Sequence, residues 1–117
     1  MAAATGKVFL ASMETEKAME IIRSKGRTKY TENTITDPDQ YLIEIRGVKK
    51  NGYATDYEEY ILGVRAVASP IAGEEHYQAA IWVVGFKTSL HDEKMKALIK
   101  ATKKAAEIIS LKLKERK

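Results

Sequence analysis

Apolar residues recur at helical spacing in the first half of the chain, give way to short β-rich runs, and return to helical spacing at the end. Ala3 to Ser12 reads as a short helix, with Val8, Phe9 and Ala11 among its small and apolar positions. Met13-Glu-Thr-Glu-Lys opens a second helix whose first turn carries acids, where the helix dipole favours negative charge. Ala18, Ile21 and Ile22 form its buried stripe, and Gly26 ends it. Tyr30 to Ile35 is a β-branched and polar connection. Thr36-Asp-Pro-Asp39 then signals a helix start, with Thr36 as the cap, Pro38 in the first turn and Asp39 at the third helical position. Leu42, Ile45 and Val48 share one face of this third helix, which stops before the turn dipeptide Asn51-Gly52.

Beyond Gly52 the period shortens. Val64, Val67 and Ile71 belong to a strand from Gly63 to Ile71, Gly73-Glu-Glu-His76 makes a hairpin turn, and Tyr77 to Phe86 returns as a second strand. That return strand is apolar nearly throughout, which predicts burial on both faces in the middle of a sheet. A long helix follows from about Asp92 to Leu113, on which Met95, Leu98, Ile99, Thr102, Ala106, Ile109 and Leu113 keep helical spacing. The order helix, helix, helix, strands, helix predicts an α+β domain with helices packed against a small antiparallel sheet. A three-stranded sheet leaves exposed edges unless something pairs with them.

At 117 residues the chain makes one domain, residues 1–117, and its 44% hydrophobic and 31% charged content gives no sign of disorder. The absence of cysteine removes disulfide frameworks, zinc ribbons and thiol catalysis, and suits a cytoplasmic setting. No apolar run approaches the length of about 20 residues needed to span a membrane, and no signal peptide is evident. The net charge is +4, but residues 94–117 alone carry +7, leaving −3 elsewhere. The basic character thus belongs to the last helix.

Five motifs stand in order along the chain. They are Ala4-Thr5-Gly6-Lys7, Tyr30-Thr-Glu-Asn-Thr-Ile-Thr36, Gly52-Tyr-Ala-Thr-Asp-Tyr-Glu-Glu59, Gly63-Val-Arg-Ala-Val-Ala-Ser-Pro-Ile71 and Ala79-Ala-Ile-Trp-Val-Val-Gly85. In that order and spacing the sequence resembles the C-terminal effector-binding domain of the IclR family of transcriptional regulators, across essentially its whole length. The resemblance implies a GAF-like α+β fold that binds a small organic or aromatic acid. It also implies assembly as a dimer or tetramer, with no cofactor and no enzymatic activity. In that family DNA is contacted by a winged helix-turn-helix, which nothing in this chain supplies, and the chain would also lack the first strands of the full effector domain.

The same resemblance implies a ligand-binding set. Backbone amides around Ala4 and Thr5 would hold a carboxylate at a helix start, where unpaired N–H groups favour anions. Asp56 matches the family's acidic pocket residue, Ala66 lies on one strand, and Trp82 and Val84 lie two apart on the next, hence on one face. Relatives that bind small keto acids carry short polar side chains at Ala66, Trp82 and Val84. Methyl, indole and isopropyl groups there imply a more apolar acid or a partly closed pocket.

Each position also has a plainer reading. Asp56 either orients a ligand or caps the bend before Glu58-Glu59. Trp82 either stacks on an aromatic ligand or fills the sheet core, which its apolar strand favours. Glu58 and Glu59 point to opposite faces if extended, so they do not converge as an acid/base pair, and Glu59 is expected to pair with Arg65. His76 and His91 have no third ligand near them, so no metal site is expected. Two other roles for the chain remain: a basic nucleic-acid-binding module acting through the last helix, or a ligand-free assembly domain. The lysines at 94, 96, 100, 103, 104, 112, 114 and 117 spread around the helix, which favours a solvated surface over a nucleic-acid patch.

Overall fold

The computed structural model describes residues 3–26, 28–72 and 79–115. Its elements are α1 (Ala4–Ala11), α2 (Thr15–Lys25), α3 (Pro38–Asn51), β1 (Ala54–Tyr57), β2 (Val64–Ile71), β3 (Ala79–Phe86) and α4 (Asp92–Glu115). The fold is α+β, as the pattern of periods predicts. The expected hairpin turn at Gly73 to His76 lies outside the described residues.

The helix ends follow local chemistry. Pro38 is the first residue of α3, so the cap is Asp37 and not Thr36: Asp37 Oδ2 accepts from the Gln40 N–H at 3.1 Å. Proline lacks an N–H and has its φ already set, which fixes it at the first helical position and moves the cap one residue later than expected. At the other end of α3, Gly52 takes a left-handed φ of 79° and donates its N–H to Val48 O. His91 caps α4, its Nδ1 accepting from Lys94 N at 3.3 Å, while Asp92 and Glu93 occupy the first turn.

The three strands form an antiparallel sheet in the order β1-β2-β3. The central strand is therefore β2, and β3 pairs with β2 alone among the described residues. This corrects the expectation that the apolar return strand lies mid-sheet. Burial agrees with topology: residues 65–69 of β2 are all buried, whereas β3 alternates between half-buried and exposed. A strand covered on both faces needs small or apolar groups throughout, and Ala66, Val67 and Ala68 meet that need.

Register assigns the two faces. Ala54 pairs with Ala68, and Asp56 with Ala66, while Ala66 and Ala68 pair with Val84 and Trp82. These six side chains share one face, because directly opposed residues point the same way. Helix α1 covers part of it through a cluster of Ala4, Val8, Val48, Ala54, Ala66 and Ala68. Behind α1, helices α2 and α3 build a second cluster from Leu10, Ala18, Ile22, Tyr41, Leu42 and Ile45. The opposite face is closed by α4, where Val67 packs with Leu90, Met95, Leu98 and Ile99.

Candidate functional site

The site implied by the sequence is only partly covered. On the α1 face, Ala4, Asp56 and Ala66 are buried, while Thr5 is exposed. Trp82 and Val84 are 50% and 48% exposed, so the indole is no core residue, against the reading its strand favoured. The reason is geometric. Helix α1 lies over the alanine-lined part of β1 and β2 and leaves the same face of β3 open. Trp82, Val84 and the 70%-exposed Phe86 form an apolar ledge beside it.

At the start of α1, Ala3 provides no side-chain cap, and the backbone bonds begin with Gly6 N and Lys7 N to Ala3 O. The amides of Ala4 and Thr5 have no intrahelical acceptor, as at any helix start. Ala4 shares a cluster with Ala66 and Ala68, the ladder partners of Val84 and Trp82. The helix start and the apolar ledge therefore adjoin.

Beneath α1 lies a group that sequence reading missed. Lys7 is fully buried, and its ammonium donates to Glu44 Oε2 at 2.9 Å, Thr55 O at 2.6 Å and Glu59 Oε2 at 2.9 Å. An ammonium has three donors, so all of them are engaged. Glu59 Oε1 is also 2.9 Å from the Lys7 nitrogen, yet it accepts no aligned hydrogen bond. One available signal was the position of Lys7 on the same helical stripe as Ala4 and Ala11, where a cation needs a buried partner.

Glu59 is fixed from several sides. Its N–H donates to Asp56 Oδ1 at 2.8 Å, its carboxylate accepts from Tyr57 N at 3.3 Å, and its carbonyl accepts from the Thr34 hydroxyl. Thr31 Oγ1 donates to Glu58 O at 2.6 Å. The motif Tyr30 to Thr36 therefore works as a clamp on the turn after β1. Asp56 caps that turn, as its plainer reading held. Glu58 leads away from Glu59, accepting from Gly63 N at 3.0 Å and lying 3.7 Å from Lys87, so the two glutamates do not converge.

The expected Glu59–Arg65 pair does not form. Arg65 pairs in register with Tyr57 and belongs to the α4 face, opposite Asp56 and Ala66. There it donates to Leu90 O at 3.0 Å and Asp92 Oδ1 at 2.9 Å, with its guanidinium 5.1 Å from the Tyr57 ring centre.

Burial pushes both buried carboxyls above their ordinary pKa. For Asp56, desolvation outweighs the Glu59 amide, the Lys7 charge and the Tyr60 amide, which all act downward. For Glu59, desolvation outweighs Lys7 and the Tyr57 amide, and the charge of Asp56 adds to the rise. No group of three or more His, Cys, Asp or Glu side chains among the described residues is arranged to hold a metal ion. No helix among them is long and apolar enough to cross a membrane.

Residues 1–111 match the family model described as bacterial transcriptional regulator IclR, C-terminal. The chain belongs to the IclR family. The IclR-type domain is 32% identical over 112 residues to the acetate operon repressor of Salmonella typhimurium, a match covering 94% of this chain and 40% of the repressor. Its fold is similar to that of IclR from Thermotoga maritima, with a TM-score of 0.84 at 32% identity over 96% of this chain and 46% of that one. A PobR inducer-binding domain from Acinetobacter, solved as a double mutant with 3-hydroxybenzoic acid, gives a TM-score of 0.83 at 25% identity over 93% of this chain and 63% of that one. The chain thus spans about 40% of the length of the curated relatives it matches. Those relatives are transcriptional repressors, not enzymes, and this IclR-type domain is an effector-binding domain of the same kind.

Proposed function

We propose that this domain senses a small organic or aromatic acid and, within a dimer or tetramer, passes that signal to a winged helix-turn-helix that binds DNA. The observation that carries this reading is the half-open α1 face. Helix-start amides at Ala4 and Thr5, uncapped among the described residues, adjoin an apolar ledge of Trp82 and Val84, with Asp56 and Ala66 on the floor beside them. Amides at a helix start favour a carboxylate, and an exposed indole favours an aromatic or longer-chain body over a keto acid. The inducer-binding domain of PobR, complexed with 3-hydroxybenzoic acid, has the same fold and supports that ligand class. For binding to alter DNA affinity, the acid must bind one quaternary arrangement better than the other.

The test uses Trp82, the one tryptophan of the chain, as the reporter. Titrating benzoate, 3-hydroxybenzoate, glyoxylate and pyruvate should quench or shift its emission with the aromatic acids, and at lower concentration than with the keto acids. A folded chain whose emission and melting temperature respond to none of the four would refute the sensing role.

A further inference from the structure

We propose that binding of an acid on the α1 face is coupled to uptake of one proton by Asp56, a regulation that rests on the sensing role proposed above. The argument is a count of charges and donors. Helix α1 contributes one cation, Lys7, and α3 contributes Glu44. Strand β1 and its turn contribute the buried carboxylates Asp56 and Glu59. Three carboxylates against one ammonium leave the cluster two charges negative when all are ionised.

Among the described residues, no other cation forms an ion pair with these carboxylates. Lys87, itself exposed, is turned to Glu58, and Arg65 is engaged with Asp92 on the far face. The clamp segment carries no cation: its one charged side chain, Glu32, is exposed, and its donors Thr31, Asn33 and Thr34 are already bonded to carbonyls of the turn. Tyr57 lies with Arg65 on the opposite face, and Tyr60 is about half-exposed and stacked edge-on to Tyr30. Lys7 itself cannot turn to a ligand, because its three donors are all taken. An incoming carboxylate gains the amides of Ala4 and Thr5 but brings a further negative charge to a cluster already in excess.

Protonating Asp56 resolves both difficulties. It lowers the excess by one charge, and it turns an acceptor into an O–H donor on the same sheet face as Ala66 and Val84. Glu59 is the weaker candidate, since its carboxylate holds the only buried contact with Lys7 that is made through a charge. The proton comes from solvent and no bond other than the O–H is formed. Burial, which already favours the protonated form of Asp56, acts in the same direction.

The linkage fixes the sign: if the ligand favours the protonated site, protons favour the ligand equally. Calorimetric titration with benzoate, which stays ionised throughout, should be run from about pH 5.5 to about pH 8.5. At neutral pH it should be repeated in HEPES and in imidazole, whose ionisation heats differ. The expected result is a Kd that rises toward about tenfold per pH unit at the alkaline end, with close to one proton taken up per benzoate. Asp56→Asn, which keeps an oxygen for the Glu59 amide, should reduce the slope to under about twofold per unit. Benzoate that binds with a flat pH profile and no buffer-dependent heat overturns the coupling and leaves the sensing role standing. An unchanged slope in the variant likewise overturns Asp56 as the proton acceptor. Absence of benzoate binding at every pH overturns the coupling, and it overturns the sensing role only if 3-hydroxybenzoate, glyoxylate and pyruvate also fail to bind.

Discussion

Replacing Lys7 by Met is the sharpest test of how α1 is held. Methionine approximates the alkyl stem and removes the ammonium, so packing is largely kept while three hydrogen bonds are lost. The buried Glu59 carboxylate, its side chain 8% exposed, then has no counter-ion, and Thr55 O loses its donor at 2.6 Å. Orphaning one member of a buried ion pair costs about 3–5 kcal/mol. Glu44 adds little, because its side chain is 35% exposed and water can take over. A chain of this length is expected to have about 6–18 kcal/mol of stability in total, so the variant should fold but lose a large share of its margin. Urea unfolding followed by far-UV circular dichroism at pH 7 would measure this, with Glu59→Gln and the double variant completing the cycle. The double variant should be more stable than Lys7→Met alone, because it removes the orphaned charge. The penalty of Lys7→Met should also shrink as pH falls toward about 5, since Glu59 without its cation takes up a proton more readily. A loss below about 1 kcal/mol, or simple additivity of the two substitutions, would refute the idea that the buried Lys7–Glu59 pair holds α1 in place.

Three further outcomes are expected. Asp56 and Glu59 have raised folded pKa values, so their favourable contribution is complete below about pH 4 and is lost as pH rises through those values. Asp56→Asn should therefore be at least as stable as the parent at pH 7 and show a smaller gain on mild acidification, as read by melting temperature across pH; a marked loss at pH 7 would contradict this. Trp82→Ala should cost about 1 kcal/mol, against about 3–5 kcal/mol for a buried tryptophan, and the parent's emission should be that of a solvated indole; a core-sized loss would place the indole inside. Gly63→Ala should cost about 1–2 kcal/mol through backbone strain alone, because φ is +81° and no atom lies within 4 Å of the added methyl; a neutral result in urea unfolding would mean the turn relaxes.

Periodicity carried the helices well because each has a stripe that something covers: Leu42, Ile45 and Val48 on α3, Met95, Thr102 and Ala106 on α4. It failed on β3, where the same apolar composition serves two surroundings. Val83 is half-buried on the α4 face, and Trp82 stands in the open on the other. Composition reports what a strand would tolerate, and topology decides what it gets. The candidate site was legible as a set of positions that register brings to one face: Asp56, Ala66, Trp82 and Val84. Its electrostatics were not legible, because Lys7, Glu44 and Glu59 are separated by up to 52 residues and no local rule joins them. Pairing Glu59 with Arg65 followed nearness in sequence, but β2 sends Arg65 through the sheet to the other side.

The sheet's two coverings also differ in how far along the chain they reach. Strands β2 and β3 and helix α4 form one continuous stretch from residue 64 to 115, so the closed face can assemble from neighbours. Helix α1 is tied to β1 and its turn across 48 and 52 residues, and closing longer loops costs more entropy before any contact repays it. Docking of α1 should therefore come late in folding and be undone early, with its amide hydrogens exchanging faster than those of β2. The helix whose first amides would meet the ligand should thus be among the first elements to open. An acid that bridges α1 and the sheet would act first as a kinetic staple, slowing the opening of one helix.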